Sequence, residues 1–408
     1  FTRFNHAKVR QTGSVNDGSL SLTLMRGQRS SDHQFPFTGD LDVDRPRAKT
    51  ALEALRKEVS QLPVNPYLVI PSGNATSQEI YVGQLLAVDE VVPTLLPVVA
   101  DLDFTGIYAA GLMIRAYADS IGQKHWFATD SFSLDYSLFT SDGQAVKGTF
   151  AGDRWDQSAY VAKIQTSRLQ LDRLGQPPKS INRGRYRTYL APAAIAELVY
   201  MLSWGGVSEA SFQQGGSCLG AMRRSEKKLS PKFTLRENFQ HGLVPRFNEL
   251  GEVAPLDLPI VKEGELVNML ISSQTAKEHK LVGNGADQGE SLRSPEISPG
   301  ELSSDQILAT LGTGLYLSNL HYLNWSDRPT GRITGMTRYA CFWVEDGEIV
   351  APIENLRFDD SFYQFWGENL AALTNFQEFI PDVGTYENRN LGGTWVPGMI
   401  VNDFTYTL

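Results

Sequence analysis

Six histidines and two cysteines are the side chains of this sequence best suited to hold a metal or to attack a carbonyl: His6, His33, His125, His241, His279, His321, Cys218 and Cys341. No two histidines are close enough in sequence to form a ligand pair on one helix, and there is no C-x-x-C. A metal would have to be gathered from afar, with His241, His321 and nearby acids as the candidates. Asp40-Leu41-Asp42-Val43-Asp44 resembles the opening of a calcium loop but lacks the glycine and the closing glutamate of one. It reads instead as an acidic lead into a helix, where negative charge is favoured. No G-x-S-x-G elbow is present. Gly216-Ser217-Cys218-Leu219-Gly220 offers a thiol without a neighbouring His or Asp to activate it, which points to a structural cysteine. Gly312-Thr313-Gly314 lacks the third glycine and the Lys-Ser/Thr of a phosphate loop. Local motifs alone therefore give no enzyme.

The elements around these residues are those of a large mixed protein. With 408 residues, two domains are expected, and 41% apolar and 20% charged residues are ordinary for a globular chain. Two cysteines exclude a disulfide framework and suit a reducing compartment. The net charge of −9 argues against direct nucleic-acid contact, and the basic run Arg223–Lys228 is short and interrupted by Glu226. No apolar run is long enough to span a bilayer and no signal peptide is visible, so a cytoplasmic location is expected.

Alternation marks strands at Leu20, Leu22, Leu24 and at Phe132, Leu134, Tyr136, Leu138, with a hairpin turn at Asp142-Gly143. Between these, a helix is expected from a cap at Asp44, with Leu52, Leu55, Val59 and Leu62 buried. Strand-like sequence runs from Glu79 to Val88, and helices are expected over Val91–Leu102 and Trp155–Leu174. The boundary falls near 176–186. The expected fold is α+β: an N-terminal domain (1–178) of β-hairpins and a curved sheet with helices, and a C-terminal, mostly antiparallel β domain (179–408) with a few helices.

That second half opens with a helix whose stripe is Ile195, Leu198, Val199 and Leu202. Further on come Gly312-Thr313-Gly314-Leu315-Tyr316-Leu317-Ser318-Asn319-Leu320, then Asn324, Thr330-Gly331, and Phe342-Trp343-Val344-Glu345-Asp346-Gly347-Glu348 through Pro352-Ile353-Glu354. This series resembles the signature of the TldD/PmbA family. Leu190-Ala191-Pro192-Ala193-Ala194 is similar to the family's helix start, and Val261–Leu266 and Val396-Pro397 are similar to later landmarks. The resemblance implies a two-part machine, in which a TldD-type zinc peptidase with HExxxH on a helix pairs with a PmbA-type (TldE) subunit lacking those ligands. Aligned on Ala191-Pro192, Tyr200 takes the place of the first histidine, Met201 of the glutamate and Gly205 of the second histidine. Arg389 falls near the cysteine ligand. None of these replaces what zinc hydrolysis needs.

The resemblance thus implies a non-catalytic PmbA/TldE-type subunit, without metal of its own, beside a zinc-bearing TldD-type partner (or as a homodimer). It would help enclose unfolded or modified peptides. The peptide or partner cleft is expected at Gly312, Gly314, Tyr316, Asn319, Asn324, Thr330, Gly331, Trp343 and Glu345, with Gly314–Leu320 or the Trp343 hairpin as the sheet edge for an extended peptide. The alternatives are an independently active metallopeptidase and a non-enzymatic regulator of the DNA gyrase modulator type.

Overall fold

The computed structural model describes residues 1–384 and 389–407. The N-terminal strands assemble into a six-stranded sheet, in the order Lys8–Thr12, Thr2–Asn5, Asp103–Ala118, Lys124–Phe139 and Thr76–Tyr81, with Ala145–Gly152 also paired to Lys124–Phe139. Its centre is the antiparallel pair Asp103–Ala118 and Lys124–Phe139, in unbroken register from Asp103↔Phe139 to Ala118↔Lys124. Asp142-Gly143 makes the turn into the next strand, with Gly143 at φ 86° as a tight hairpin turn requires. A separate two-stranded hairpin, Ser19–Met25 with Ser30–Pro36, lies against the helix Leu41–Glu58.

That helix begins a turn earlier than expected. Asp40 is its cap, accepting the Asp42 N–H at 2.9 Å, and Pro46 lies inside it. Asp44 instead reaches back from the first turn. Burial works to raise its carboxyl, but bonds from Thr38 and from the Gly39 N–H outweigh this and hold it low. The helix over Gln157–Leu174 is capped by Asp156, which accepts from Ser158 and Ala159. The expected helix at Val91 is present over Val91–Val99, whereas the strand expected from Glu79 to Val88 ends at Tyr81.

The remaining strands form an eleven-stranded sheet that closes partly on itself. Gly184–Leu190 lies parallel to the start of Gly314–Asp327, which pairs antiparallel with Arg332–Glu345. That strand pairs with Arg357–Ser361, which meets Gly393–Tyr406 at Phe358↔Tyr406. Gly393–Tyr406 returns to Gly184–Leu190, from Met399↔Leu190 to Tyr406↔Gly184. These five strands make a ring. The helix Pro192–Leu202 packs on it with Ile195, Leu198, Val199 and Leu202 all buried in the main core.

A second core joins the two sheets. Phe104, Tyr108, Phe132, Leu134 and Tyr136 of the first sheet pack with Ala340 and Phe342 of the second. Lys163 and Glu378 pair across the same contact at 2.5 Å. Among the described residues, no helix is long and apolar enough to cross a membrane.

Candidate functional site

Gly184–Leu190 delivers the chain directly into the helix Pro192–Leu202. The Ala191 N–H donates to the Leu317 carbonyl at 2.9 Å, which ties the helix start to the long hairpin, and Pro192 fits the first turn because its missing N–H is not needed there. The helix is apolar through most of its circumference, which is why it is buried: Pro192, Ala194, Ile195, Ala196, Leu198, Val199, Met201 and Leu202 are all inside. It stops at Leu202, and Gly205 follows with φ 83°.

This geometry decides what the three positions of the expected zinc motif can do. Tyr200 points outward, 58% exposed, and carries a phenol where a zinc site uses imidazole, thiolate or carboxylate. Met201 is 1% exposed and faces the core, where no water could reach a base. Gly205 has no side chain and lies beyond the helix end. The fourth position, Arg389, donates to the Ser131 hydroxyl of the N-terminal sheet. These residues do not fit a zinc ion. Among the described residues, no group of three His, Cys, Asp or Glu side chains is placed to hold a metal.

The outward face of the same helix carries a stripe that the periodicity of its buried face hides. Glu197 and Tyr200 lie at i and i+3 on the side opposite Ile195, Leu198 and Leu202, and Trp204 follows in the turn just past the helix end. Tyr200 and Trp204 make an edge-to-face pair with centroids 5.9 Å apart, and Trp204 is 41% exposed. Glu197 is also exposed, yet protein on its flanks thins its hydration and pushes its carboxyl up. A charged residue and two aromatics at helical spacing, opposite a buried stripe, are the signal that could have singled out this face in the sequence.

Eight of the nine residues expected to line a cleft fall into two groups at opposite ends of the long hairpin, roughly 40 Å apart along the strand. At one end, Gly312 ends a short helix at φ 68°, and Gly314 lies so close to the Arg187 carbonyl that any side chain would collide with it. Tyr316 packs against Tyr189 at 5.0 Å. Trp343 donates to Glu345 at 2.5 Å, and Lys179 reaches the same carboxylate at 2.6 Å while covering the Trp343 ring. At the other end, Asn324 is exposed and accepts the Trp325 N–H, and Thr330-Gly331 forms the hairpin turn. Asn319 lies between, at a bulge, with its side-chain oxygen buried and without a partner among the described residues.

The expectation that Gly314–Leu320 forms a sheet edge needs correction. From Leu315 to Leu317 this strand is paired on both sides, with Trp343–Cys341 and with Thr188–Leu190. Among the described residues, Asn319–Asp327 has a strand partner on one side only, and three register shifts break its ladder. Trp343 is likewise paired on both sides, with Leu315 and Ala351.

His241, a candidate ligand, belongs to a polar corner. Its Nε2 lies 2.7 Å from Glu296, which also accepts from Arg236 and Asn238 at 2.6 Å each. Its ring stacks on Trp395 at 4.9 Å, and Trp395 stacks on Phe379. Burial works to raise the Glu296 carboxyl, but the bonds from His241, Arg236 and Asn238 outweigh it and hold the group at about 2. Nearby, Glu237 is pushed up to about 7 by burial, against the N–H groups of Arg293 and Ser294. His321 is exposed on the long hairpin. Both cysteines are free and buried, and burial pushes the Cys341 thiol up to about 11 and that of Cys218 further.

Residues 183–408 match the family model described as the PmbA/TldA metallopeptidase C-terminal domain. A curated relative, the metalloprotease PmbA of Escherichia coli O157:H7, is 30% identical over 142 residues, which is 34% of this chain and only 28% of the relative's length. Two solved structures share the fold across the whole chain. TldE from Thermococcus kodakarensis superposes with a TM-score of 0.80 at 12% identity, covering 100% of this chain and 94% of its own. A Thermotoga maritima protein described as a candidate modulator of a DNA gyrase gives 0.77 at 14% identity, covering 100% and 93%.

Proposed function

The chain belongs to the TldD/PmbA family, and from that premise we propose that it is a non-catalytic, PmbA/TldE-type cytoplasmic subunit of a two-chain peptidase. The observation that carries this reading is the helix Pro192–Leu202. Its packing face is complete, while its motif positions hold an exposed phenol, a core thioether and a glycine past the helix end. A metal-bound water needs ligands that leave one position open, and a base beside it. This helix supplies neither, so the zinc belongs to a TldD-type partner. The role left to this chain is to wall a chamber and hold unfolded or modified peptide. The half-open strand Asn319–Asp327 offers main-chain groups for that purpose, as an extended peptide can add to a strand with little regard to its own sequence.

The test is reconstitution. The purified chain, dialysed without chelator, is expected to carry no stoichiometric zinc, iron or manganese by elemental mass spectrometry and to leave unfolded peptides intact. Mixed with a TldD-type subunit, it should form a stable complex that cleaves them. One tightly bound metal per chain, or hydrolysis by the chain alone, would overturn the reading.

A further inference from the structure

Resting on the peptide-subunit reading, we propose that the outward face of the helix Pro192–Leu202 is a subsite for a cationic side chain of the bound peptide, an arginine or lysine, held between Tyr200, Trp204 and Glu197. Two features of this face favour a positive charge. Two aromatic rings stand exposed and edge-to-face, so that a π surface is open to solvent. The face of an aromatic ring attracts a guanidinium or ammonium group, and Trp does so best. One turn before Tyr200, Glu197 supplies a carboxylate that makes no hydrogen bond or ion pair among the described residues. The crowding that raises its proton affinity is what a neighbouring cation would relieve.

A cation stands at one end of this face: the guanidinium of Arg328 approaches Gly205. Among the described residues it is neither stacked on the two rings nor paired with Glu197, so it bounds this face at the Gly205 end and leaves the rings free. The net charge of −9 adds a long-range field that draws basic peptides toward the chain. An acidic side chain is repelled by Glu197, and a neutral one gains neither the cation–π nor the ion-pair attraction.

Three capped alanine pentapeptides, with arginine, glutamine or glutamate at the centre, test this by isothermal titration calorimetry. They are titrated into the full chain alone and with a TldD-type subunit inactivated by chelation. The arginine peptide is expected to bind about tenfold more tightly than the glutamine peptide, and the glutamate peptide more weakly still. Glu197→Gln and Trp204→Ala should each erase most of the arginine preference while leaving the affinity for the glutamine peptide within about twofold. Both side chains are exposed, and an unchanged thermal midpoint would show that the fold is intact. Equal binding of the three peptides, or an arginine preference that survives in the Glu197→Gln/Trp204→Ala double variant, overturns the cationic subsite and leaves the subunit reading standing. Binding of none of them to either form removes both.

Discussion

At the polar corner, the carboxylate of Glu296 takes three side-chain hydrogen bonds from His241, Arg236 and Asn238. On the outward face of the helix Pro192–Leu202, the carboxylate of Glu197 takes none among the described residues. The first region has the residue types a hydrolase needs, an imidazole beside a carboxylate, yet the two are bonded to each other and the carboxylate is shared with Arg236 and Asn238. The second has no such pair, yet its polar group is uncommitted. The difference teaches that reactive residue types do not mark a site by themselves. What marks one is a polar group whose bonding capacity the fold leaves open.

The sharpest attack on this contrast is to rebuild the motif. Met201→Glu would place an unpaired carboxylate in the core and should cost about 4 kcal/mol of stability. The triple variant Tyr200→His/Met201→Glu/Gly205→His should therefore gain no stoichiometric zinc, as elemental analysis and urea unfolding would show. Stoichiometric zinc in a stable triple variant would mean that the helix has kept its metal geometry.

Next comes the polar corner. Glu296→Ala leaves Arg236, Asn238 and His241 without their common acceptor and should cost about 3 kcal/mol in urea unfolding. The sign of its pH dependence follows from its low value in the fold. Held at about 2 against an ordinary 4.5, Glu296 contributes stability that is complete above 4.5 and is lost as pH falls toward 2. The gap between wild type and variant should close over that window. A cost below about 1 kcal/mol would show that the corner is no more committed than the helix face.

Glu237 should behave in the opposite sense. It keeps its proton up to about 7 in the fold, while the unfolded chain loses it near 4.5. Wild-type stability should therefore decline from pH 4.5 to 7 relative to Glu237→Gln, which cannot ionise, and run parallel to it, with the offset kept, above that. The smallest effect is expected at Tyr200→His. The side chain is exposed, so the free energy of unfolding should change by no more than about 0.5 kcal/mol. A large loss there would mean that the aromatic pair is structural.

Much of the fold could be read in the sequence wherever one residue type fixes a local choice. Leu20, Leu22 and Leu24 alternate in a real strand, Asp142-Gly143 turns a real hairpin, and the helix expected over Trp155–Leu174 is present from Gln157 behind an aspartate cap. Other features depend on tertiary context. His6 and Ala7 turn the first hairpin at φ 48° and 50° without the glycine that would announce it. Asp44 resembles a cap because Pro46 follows it, but Asp40 occupies the position and Asp44 is drawn back onto Thr38 and Gly39. The double pairing of Leu315–Leu317 depends on Thr188–Leu190, a partner more than a hundred residues away, so no local pattern could separate an edge from a centre. At the helix, the buried stripe of Ile195, Leu198, Val199 and Leu202 was legible residue by residue. The open face was not, because a search for a buried stripe passes over the residues opposite it.

The five-stranded ring also sets the order in which the C-terminal region can be made. Its first strand, Gly184–Leu190, is held on one side by Gly314–Leu317 and on the other by Gly393–Tyr406, so Gly184 waits for Tyr406. A ribosome supplies residues one at a time, at about 5 to 20 per second. For the time it takes to make the intervening chain, the strand and the apolar helix behind it have no complete surface to rest on. Contacts of such long sequence separation fold slowly and leave unpaired strands in the meantime. Folding of this region is therefore expected to finish only after its last strand has left the exit tunnel, with the chain dependent until then on whatever keeps nascent apolar segments apart.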